Sequence, residues 1–282
     1  MPELPEVETV RRGLEERVVG RKILNVEIGR ERSVRRVGRE AVIHGLTGAT
    51  MINARRRGKY LLCDLDSGDR MMIHLRMSGR VLVERHLTPR PPHTHVVLHL
   101  DARNGHSDEM WFVDPRTFGE VVVFDAAMEN QILPELARLG PDPICDHFDG
   151  EVLKQRLDRR RGSLKSLLLN QHVVCGVGNI YADEVLHRCG LRWNRTPGSL
   201  STRKIDQLAS TITDVLQQAI EAGGSTLGDT QYVDIEGQTG SFQDMHRVYG
   251  RDGLPCLTCG KSSIRRVMVA GRSTCYCPRC QK

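Results

Sequence analysis

Apolar positions follow helical spacing at the start of the chain and strand-like spacing afterwards. The first eighteen residues carry apolar side chains every three or four positions, which predicts a helix from Pro5 to Val18. From Lys22 to about Phe124, short apolar or alternating runs are separated by Gly, Asp, Asn and Pro, a pattern typical of a β-sandwich or barrel. The predicted strands are Ile23–Ile28, Tyr60–Leu65, Met71–Met77, Val96–Leu100, Met110–Val113 and Val121–Phe124.

After Asn130 the apolar spacing becomes helical. Four helices are predicted, at Glu151–Arg161, Ser163–Asn170, Asn179–Cys189 and Ser201–Ala222. The glycine-rich segment Gly223–Ser241 that follows predicts a long mobile loop, because long loops in compact proteins are usually functional or disordered. We therefore expect a two-domain α+β protein, with an N-terminal β-sandwich and its leading helix ahead of a helical domain.

Composition places the chain among globular proteins. Hydrophobic residues make up 39% and charged residues 27%, which excludes collagen-like, fully disordered and coiled-coil classes. No apolar stretch approaches the ~18 residues that a membrane span requires. The N-terminus, MPELPEVE, is acidic where a signal peptide would be basic and then apolar. We expect a cytoplasmic protein with no membrane segment.

The net positive charge is concentrated at the C-terminus. Residues 243–282 contain eight basic and two acidic side chains, which equals the net charge of +6 of the whole chain. A basic module on a balanced body indicates a polyanion partner, with nucleic acid first and an anionic membrane second. The alternative on charge alone is a solvated basic tail.

Five of the nine cysteines lie in this basic segment. Cys256 and Cys259 form one C-x-x-C pair and Cys277 and Cys280 form another, with 17 residues between the pairs. This spacing is typical of a tetrahedral zinc site, and four thiolates leave no open position for chemistry, so we expect one structural zinc ion. Two disulfides are the alternative, and a reducing compartment disfavours them. Cys275 is expected to be packed rather than to bind the metal.

Two further features are a predicted hairpin and a glycine-rich helix start, and the second suggests phosphate binding. Alternating runs around Ala270-Gly271 predict a β-hairpin, with Arg272 just past its tip. Gly176-Val-Gly178-Asn179 opens a helix, where backbone amides and the helix dipole favour an anion. Alternatively, Arg272 is only solvated and the glycines cap a preceding helix.

Several longer motifs together resemble one family. The matching segments are MPELPEVET at the start, RRGKYLL at 56–62, HLRMSG at 74–79, DPRTFG at 114–119, GVGNIYADE at 176–184, GSFQ at 240–243 and the ending VYGR…PC…CG…AGR…CPRCQK. They are similar to bacterial formamidopyrimidine-DNA glycosylase, a family of oxidised-purine repair enzymes, over essentially the whole chain. The related endonuclease VIII family typically begins MPEGPE, which favours the purine branch. Thr117 and Cys275 depart from residues frequent in the family.

The resemblance implies an amine mechanism with named catalytic residues. Removal of Met1 would leave Pro2 as a secondary amine that attacks the sugar C1′ of a damaged nucleotide and forms an iminium ion. Glu3 is implied as the general acid, and Glu6 as a residue that orients the amine. Lys59 is implied to supply a proton or charge near the lesion, and Arg272 to clamp the phosphates beside it. Without the resemblance, Pro2 would be interpreted as a proline that marks the start of a helix, and Lys59 as an exposed strand lysine.

The resemblance also implies DNA contacts on both domains. Phosphate contacts are implied for Asn179, Arg160 and Lys165 on the helical side, and for His74 and His93 on the β side. Chemistry on a base requires the nucleotide to leave the stack.

Three further residues match the family's wedge into the DNA. Met77 would fill the vacated space, Arg116 would pair with the orphaned cytosine, and Phe118 would insert between bases. On sequence alone, Met77 and Phe118 are more often core residues.

The expected organisation follows from these assignments. The predicted divisions are 1–130 for a catalytic β-sandwich, 131–225 for a helix-two-turn-helix domain, 226–242 for a flexible lesion-recognition loop and 243–282 for a zinc-finger hairpin. The expected partner is double-stranded DNA containing oxidised purines or abasic sites, bound by a monomer. Two alternatives stay open, namely an oxidised-pyrimidine glycosylase of the endonuclease VIII type and a non-catalytic zinc-finger DNA-binding protein.

Overall fold

The computed structural model describes residues 1–102, 108–228, 232–269 and 271–282. The chain forms two compact units. The first contains Met1–Ala137 together with Gly223–Ser241, and the second contains Arg138–Ala222 together with Phe242–Lys282. The glycine-rich segment is thus part of the β unit, although it follows the helical domain in sequence.

The first unit contains two antiparallel four-stranded sheets, which confirms the predicted β-sandwich. The strand orders are β1-β6-β7-β5 and β2-β3-β4-β8, and both sheets contribute to one apolar core. The strands are β1 (Ile23–Ile28), β2 (Met51–Arg57), β3 (Tyr60–Leu65), β4 (Asp69–His74), β5 (Arg80–Arg85), β6 (Thr94–Leu100), β7 (Asp108–Val113) and β8 (Glu120–Asp125). The helices are α1 (Leu4–Arg17), α2 (Arg39–Leu46) and two single turns, α3 (Glu129–Ile132) and α4 (Pro134–Ala137).

Each predicted strand of this unit is present, and two strands were missed. The strand predicted at Met71–Met77 ends at His74, because the chain turns at Arg76, where φ is +53°. The β2 sequence, MINARRR, ends in three arginines and has no apolar alternation, yet Arg56 is buried in the sheet. The β5 strand has only three apolar residues between charged ones. The apolar pattern does not predict β2 because one of its inward positions holds Arg56, a charged residue that pairs with the buried carboxylate of Glu8.

The predicted first helix is confirmed and is held by a capping box. Glu3 is the N-cap residue, its side chain accepts from the Glu6 backbone, and the Glu6 side chain accepts from the Glu3 backbone. Val7, Val10 and Leu14 of α1 are fully buried in the sandwich core. Polar contacts therefore fix the first turn of α1, and apolar contacts fix the helix to the core of the β-sandwich.

The predicted mobile loop is corrected for the residues around Ile235. Tyr232 and Ile235 belong to the main core, and the Ile235 carbonyl accepts a hydrogen bond from the Val83 amide at 2.8 Å. Gly13 makes room for this contact, because a Cβ there would lie 2.6 Å from Cγ1 of Ile235. The prediction of a mobile loop rested on the many glycines of this segment and overlooked the two residues, Tyr232 and Ile235, that anchor it in the core. Residues 229–231 of the predicted loop lie outside the described part of the chain.

The second unit is helical and carries the predicted hairpin. The helices are α5 (Gly150–Leu157), α6 (Leu164–Leu168), α7 (Asn179–Arg188) and α8 (Thr202–Glu221), and the hairpin strands are β9 (Arg265–Val269) and β10 (Arg272–Tyr276). Helix α5 ends four residues earlier than predicted, and the chain beyond it turns at Arg159 (φ +56°) and Gly162 (φ +125°). Helix α8 buries a continuous apolar stripe and is capped by Ser201, whose side chain accepts from the Lys204 amide.

Among the parts of the chain that the structure describes, no helix is both long and apolar enough to cross a bilayer.

The packing of Ile235 leads to a stability prediction. Ile235→Ala should lower the free energy of unfolding by about 2–5 kcal/mol, because it leaves a cavity in the main core. Ile52→Ala is the matched control, since Ile52 is 55% exposed and its truncation should change stability by less than about 0.5 kcal/mol. Urea denaturation of both variants measures the difference, and equal small effects would show that the segment is not part of the core.

Candidate functional site

Three buried residues cluster at the N-terminus of the first unit. Pro2 is buried directly before α1, and Glu3 and Glu6 are 2% and 1% exposed. One carboxylate oxygen of Glu6 accepts from the Glu3 amide at 2.8 Å, and the other accepts from the Ser225 amide at 2.8 Å. Glu6 therefore fixes the backbone beside Pro2 and joins it to the glycine-rich segment. Such contacts are what the predicted role of Glu6 in orienting the amine requires.

Lys59 lies in the tight turn between β2 and β3. Gly58 has a φ of +56°, and its carbonyl accepts from the Arg56 guanidinium at 3.1 Å. Arg56 in turn pairs with the buried carboxylate of Glu8 at 3.0 Å. Lys59 is only 7% exposed, so it is not an ordinary solvated strand lysine. A buried ammonium at a turn fixed in this way has a defined position, as a catalytic cation requires.

Two loops of the first unit are joined by one buried carboxylate that the sequence analysis missed. Asp114 is fully buried and accepts from the Ser78 hydroxyl at 2.5 Å and from the Gly119 amide at 2.7 Å. It also accepts from the Arg116 amide at 3.2 Å. These bonds hold the loop 75–79 against the loop 114–119. The signal in the sequence is Asp-Pro, a common turn opening whose aspartate bonds to the backbone two residues on.

The three residues of the predicted wedge are displayed on these two loops. Phe118 is 41% exposed, Arg116 is exposed and Met77 is half-buried, so Phe118 is not a core residue. The Arg116 guanidinium lies 5.1 Å from the centre of the Phe118 ring, within the range of a cation–π contact. Thr117, between them, has a φ of +55°. The structure thus brings Arg116 and Phe118 together at the surface and places Met77 on the adjoining loop that Asp114 holds.

The two predicted histidine contacts differ in their environment. His74 is buried, and its Nδ1 accepts from the Arg76 amide at 3.0 Å, which leaves Nε2 as the hydrogen-bond donor. Burial, followed by the charges of neighbouring cations, holds the pKa of His74 well below its usual value. His93 is exposed, and its carbonyl accepts from the Asp114 amide at 3.0 Å. His74 is therefore a neutral donor rather than a cation.

The four predicted metal ligands converge in the second unit. The sulfur atoms of Cys256, Cys259, Cys277 and Cys280 all lie within 4.8 Å of one another. Two of the sulfur–sulfur distances, Cys256 to Cys280 and Cys259 to Cys277, are 3.8 Å. Tetrahedral zinc with Zn–S bonds of about 2.3 Å requires about this separation, whereas a disulfide requires about 2.05 Å. The donor set fits one structural zinc ion, and Cys275 is buried outside it.

Helix α7 anchors the hairpin through two adjacent buried carboxylates. Asp183 accepts from the Cys275 amide at 2.8 Å and pairs with the Lys165 ammonium at 2.7 Å. Burial raises the pKa of Asp183, and the Lys165 charge opposes that rise. Glu184 accepts from three successive amides, of Arg247, Val248 and Tyr249, at 2.9 to 3.0 Å. The segment before the zinc site and the second hairpin strand are thus both fixed to one helix.

The structure contradicts the predicted phosphate contact of Lys165. Its side chain is 1% exposed, and its ammonium donates to Asp183 and to the carbonyl of Ser273 at 2.9 Å. A group enclosed in this way cannot reach a phosphate in solution. The lysine instead supports β10, whose first residue is the exposed Arg272. Sequence reasoning missed this because it could not show that Asp183 faces the lysine.

The remaining predicted phosphate contacts lie around α7 and after α5. Asn179 is the first residue of α7, and its Oδ1 is buried without a hydrogen-bond partner among the described residues. Arg160 is exposed, and its Nε donates to the Arg156 carbonyl at 2.8 Å. The three arginines 159–161 border a cavity of about 530 Å³.

Comparison with family models matches most of the chain. Residues 1–121 match the formamidopyrimidine-DNA glycosylase N-terminal domain, and residues 139–231 match the formamidopyrimidine-DNA glycosylase H2TH domain. Residues 253–282 match a zinc finger found in FPG and IleRS.

Full-length relatives and solved structures agree with these matches. The formamidopyrimidine-DNA glycosylases of Cereibacter sphaeroides and Gluconobacter oxydans are 45% and 42% identical, with 100% of each chain covered. A complex between Lactococcus lactis Fpg and DNA containing an abasic site has a TM-score of 0.89 at 35% identity, with 99% of each chain covered. A complex of the same protein with DNA containing Fapy-dG has a TM-score of 0.88 at 36% identity, with 99% of this chain and 100% of that one covered.

The buried ion pair of Lys165 yields a direct test of its role. Lys165→Met should lower the free energy of unfolding by about 3–5 kcal/mol, because it leaves the Asp183 charge buried and unpaired. Adding Asp183→Asn should recover part of the loss, since the amide oxygen can still accept from Cys275. Lys154→Met is the control, because Lys154 is exposed on α5. If Lys165→Met is as mild as Lys154→Met in urea denaturation, the lysine does not support the hairpin.

Proposed function

This chain belongs to the formamidopyrimidine-DNA glycosylase family, and we propose that it removes oxidised purines such as 8-oxoguanine and formamidopyrimidines from duplex DNA. As a member of the family it is a DNA glycosylase of base excision repair that also acts as a lyase at abasic sites. The observation that carries the residue assignment is the buried arrangement of Pro2, Glu3 and Glu6 at the start of α1.

Pro2 is the nucleophile in this proposal. Removal of Met1 leaves a secondary α-amine, and α-amino groups have a pKa of about 7.7–8.0, so a useful fraction is unprotonated near neutral pH. Attack on C1′ of the damaged nucleotide breaks the glycosidic bond, and the base leaves with its bonding electron pair and a proton. The amine nitrogen then gives up its proton, and the C1′–O4′ bond of the sugar ring breaks as O4′ takes up a proton, which leaves an iminium ion between Pro2 and C1′. This iminium ion makes the 2′ proton acidic, which permits elimination of the 3′ phosphate and then of the 5′ phosphate.

Glu3 and Lys59 supply the proton and the positive charge that these steps require. Glu3 lies next to the nucleophile, where a carboxylic acid can protonate the departing base or the opening sugar ring. Its backbone is fixed by Glu6, so the acid does not have to be ordered during the reaction. The Lys59 ammonium supports charge that develops near the lesion or its phosphate.

Each unit offers its own contacts to DNA. Arg272 presents a planar guanidinium that suits two phosphate oxygens, and Arg160 and Asn179 are further phosphate contacts of the second unit. His74 contributes a neutral Nε2 donor and His93 an exposed ring in the first unit. The zinc ion supplies folding stability to the module that carries Arg272 and takes no part in bond breaking.

The wedge residues account for access to a paired base. Removing a nucleotide from the stack costs a few kcal/mol, which contacts in the extruded state must offset. Phe118 inserts between bases, Met77 fills the vacated space, and Arg116 donates to the orphaned cytosine. We further propose that the protein acts as a monomer in the cytoplasm, where its DNA substrate lies in bacteria.

An oxidised-pyrimidine glycosylase is the second candidate function. The two are separated by strand nicking of matched duplexes that contain 8-oxoguanine opposite cytosine or thymine glycol opposite adenine. The purine proposal expects much faster nicking of the 8-oxoguanine duplex. Preference for thymine glycol would assign the protein to the pyrimidine branch, and no nicking of either duplex would leave only DNA binding.

The adjacent positions of Pro2 and Glu3 predict that two reaction steps can be separated. Glu3→Gln keeps the size and the capping hydrogen bond but loses the transferable proton. Excision of 8-oxoguanine should therefore fall by about 10²–10⁴-fold, the usual loss for a general acid. Cleavage of a preformed abasic site should fall much less, because its base has already gone.

The control for this variant is Glu16→Gln on the same helix, since Glu16 is exposed. This control should leave unchanged both the rate of 8-oxoguanine excision and the rate of abasic-site cleavage, each measured under single-turnover conditions. Equal losses of both rates in Glu3→Gln would contradict the assignment of Glu3 as the acid for base departure.

A further inference from the structure

A cluster of two histidines and one glutamate lies on the sheet β1-β6-β7-β5, far in sequence from the cysteine site. His86 follows β5, His99 is on β6 and Glu109 is on β7, where it pairs directly with His99. One nitrogen of each histidine and one carboxylate oxygen lie within 4.8 Å of one another. Glu109 shares its sheet face with Trp111, which belongs to a small apolar cluster separate from the main core.

The donor atoms of this cluster face one another at metal-like spacing. Oε1 of Glu109 lies 2.9 Å from Nδ1 of His86 and 3.3 Å from Nδ1 of His99. Zinc bonds of about 2.0–2.1 Å to nitrogen and oxygen in a tetrahedron place neighbouring donors about 3.3 Å apart. The two distances from Oε1 are close to this separation, and the three donor atoms lie within 4.8 Å of one another.

Glu27 determines which nitrogen of His99 carries the proton. Its Oε1 lies 2.5 Å from Nε2 of His99, so this nitrogen must donate, and Nδ1 of a neutral ring is left with its lone pair. That lone pair faces Oε1 of Glu109, which is another electron-pair donor. Two such atoms at 3.3 Å repel each other unless a positive species lies between them. A carboxylate that orients a histidine in this way is the usual outer contact of a metal-binding imidazole.

The second oxygen of Glu109 is fully occupied, which directs Oε1 towards the histidines. Oε2 accepts from the indole of Trp111 at 2.7 Å and from the guanidinium of Arg90 at 2.9 Å. Burial acts to raise the pKa of Glu109, but its hydrogen bonds, with that from Arg90 first, outweigh burial and hold the pKa at about 2. Arg90 also binds Glu27, so two carboxylates face one guanidinium. With neutral histidines the cluster carries one net negative charge.

We propose that His86, His99 and Glu109 bind one divalent transition-metal ion, of the zinc, cobalt and nickel class, with water in the remaining position. Two imidazoles and a carboxylate suit these ions, whereas magnesium and calcium prefer oxygen ligands alone. His86 is half-exposed at the surface, so an ion and its water have an entry path.

Metal binding here would fasten the segment between β5 and β6. His86 is the first residue of that segment, and His99 and Glu109 are on the adjoining strands. The same segment carries His93, one of the residues assigned above to DNA contact. The proposed ion would therefore stabilise the first unit without being a part of the reaction.

The test is metal stoichiometry and affinity in the full-length protein with its cysteine-bound zinc retained. After equilibrium dialysis against zinc, elemental analysis should find two ions per chain in the wild type and one in His99→Ala. Titration calorimetry with nickel should give one site, at least tenfold weaker in His86→Ala. Glu27→Gln should weaken it by about 10–100-fold, as loss of an outer carboxylate typically does.

His147→Ala provides the matched control. His147 is an exposed histidine 2.9 Å from Asp149, so it has a carboxylate neighbour but no second histidine beside it among the described residues. This variant should keep two zinc ions and the wild-type nickel affinity. Thermal unfolding before metal addition checks that each variant is folded.

Two results would overturn the proposal. One is a wild-type protein that holds a single zinc ion and binds no nickel, with nitrogen NMR showing both ring nitrogens of His99 protonated. In that case a proton, not a metal ion, lies between His99 and Glu109. The other is a His99→Ala variant whose stoichiometry and affinity equal those of the wild type.

Discussion

A carboxylate taken out of water must find hydrogen-bond donors inside the protein, and the functional segments of this molecule are held by such groups. In the first unit, Glu6 binds two amides that are more than two hundred residues apart, and Asp114 joins two surface loops. In the second unit, Asp183 and Glu184 do the same for the hairpin and the segment that leads into the zinc site. Apart from the Ser78 hydroxyl on Asp114, these bonds come from backbone amides, so they fix the path of the chain rather than single side chains.

These anchors explain how exposed reactive groups can be well placed. Phe118 and Arg116 are exposed, yet the backbone of their loop is bound to the buried carboxylate of Asp114. Arg272 is exposed at the start of β10, which Lys165 and Asp183 support from below the surface. A contact made by a residue on an ordered backbone loses less entropy on binding, which favours the DNA contacts proposed for these residues. A zinc ion bound by the four cysteines orders the backbone of the hairpin module in a comparable way.

Sequence patterns predicted the elements whose stabilising contacts are local. The four cysteines, the strands with apolar alternation and the capped helices all depend on residues close in sequence, and the structure confirms them. The patterns failed where a distant partner decides the outcome. Arg56 is inward because Glu8 neutralises it, Lys165 is buried because Asp183 faces it, and Ile235 is packed because Gly13 leaves space. The resemblance supplied the site residues, but not the carboxylates that position them.

In the proposed mechanism, the amine of Pro2, beside the buried capping box of Glu3 and Glu6, forms the covalent bond to DNA. Borohydride reduction of the protein with abasic-site DNA, followed by mass spectrometry of the cross-linked peptide, measures this directly. The account predicts a peptide that begins at Pro2 with Met1 absent, and no cross-link when an added residue converts the amine to a non-nucleophilic amide. A cross-link on Lys59 or another lysine, or trapping that persists with Met1 in place, would contradict it.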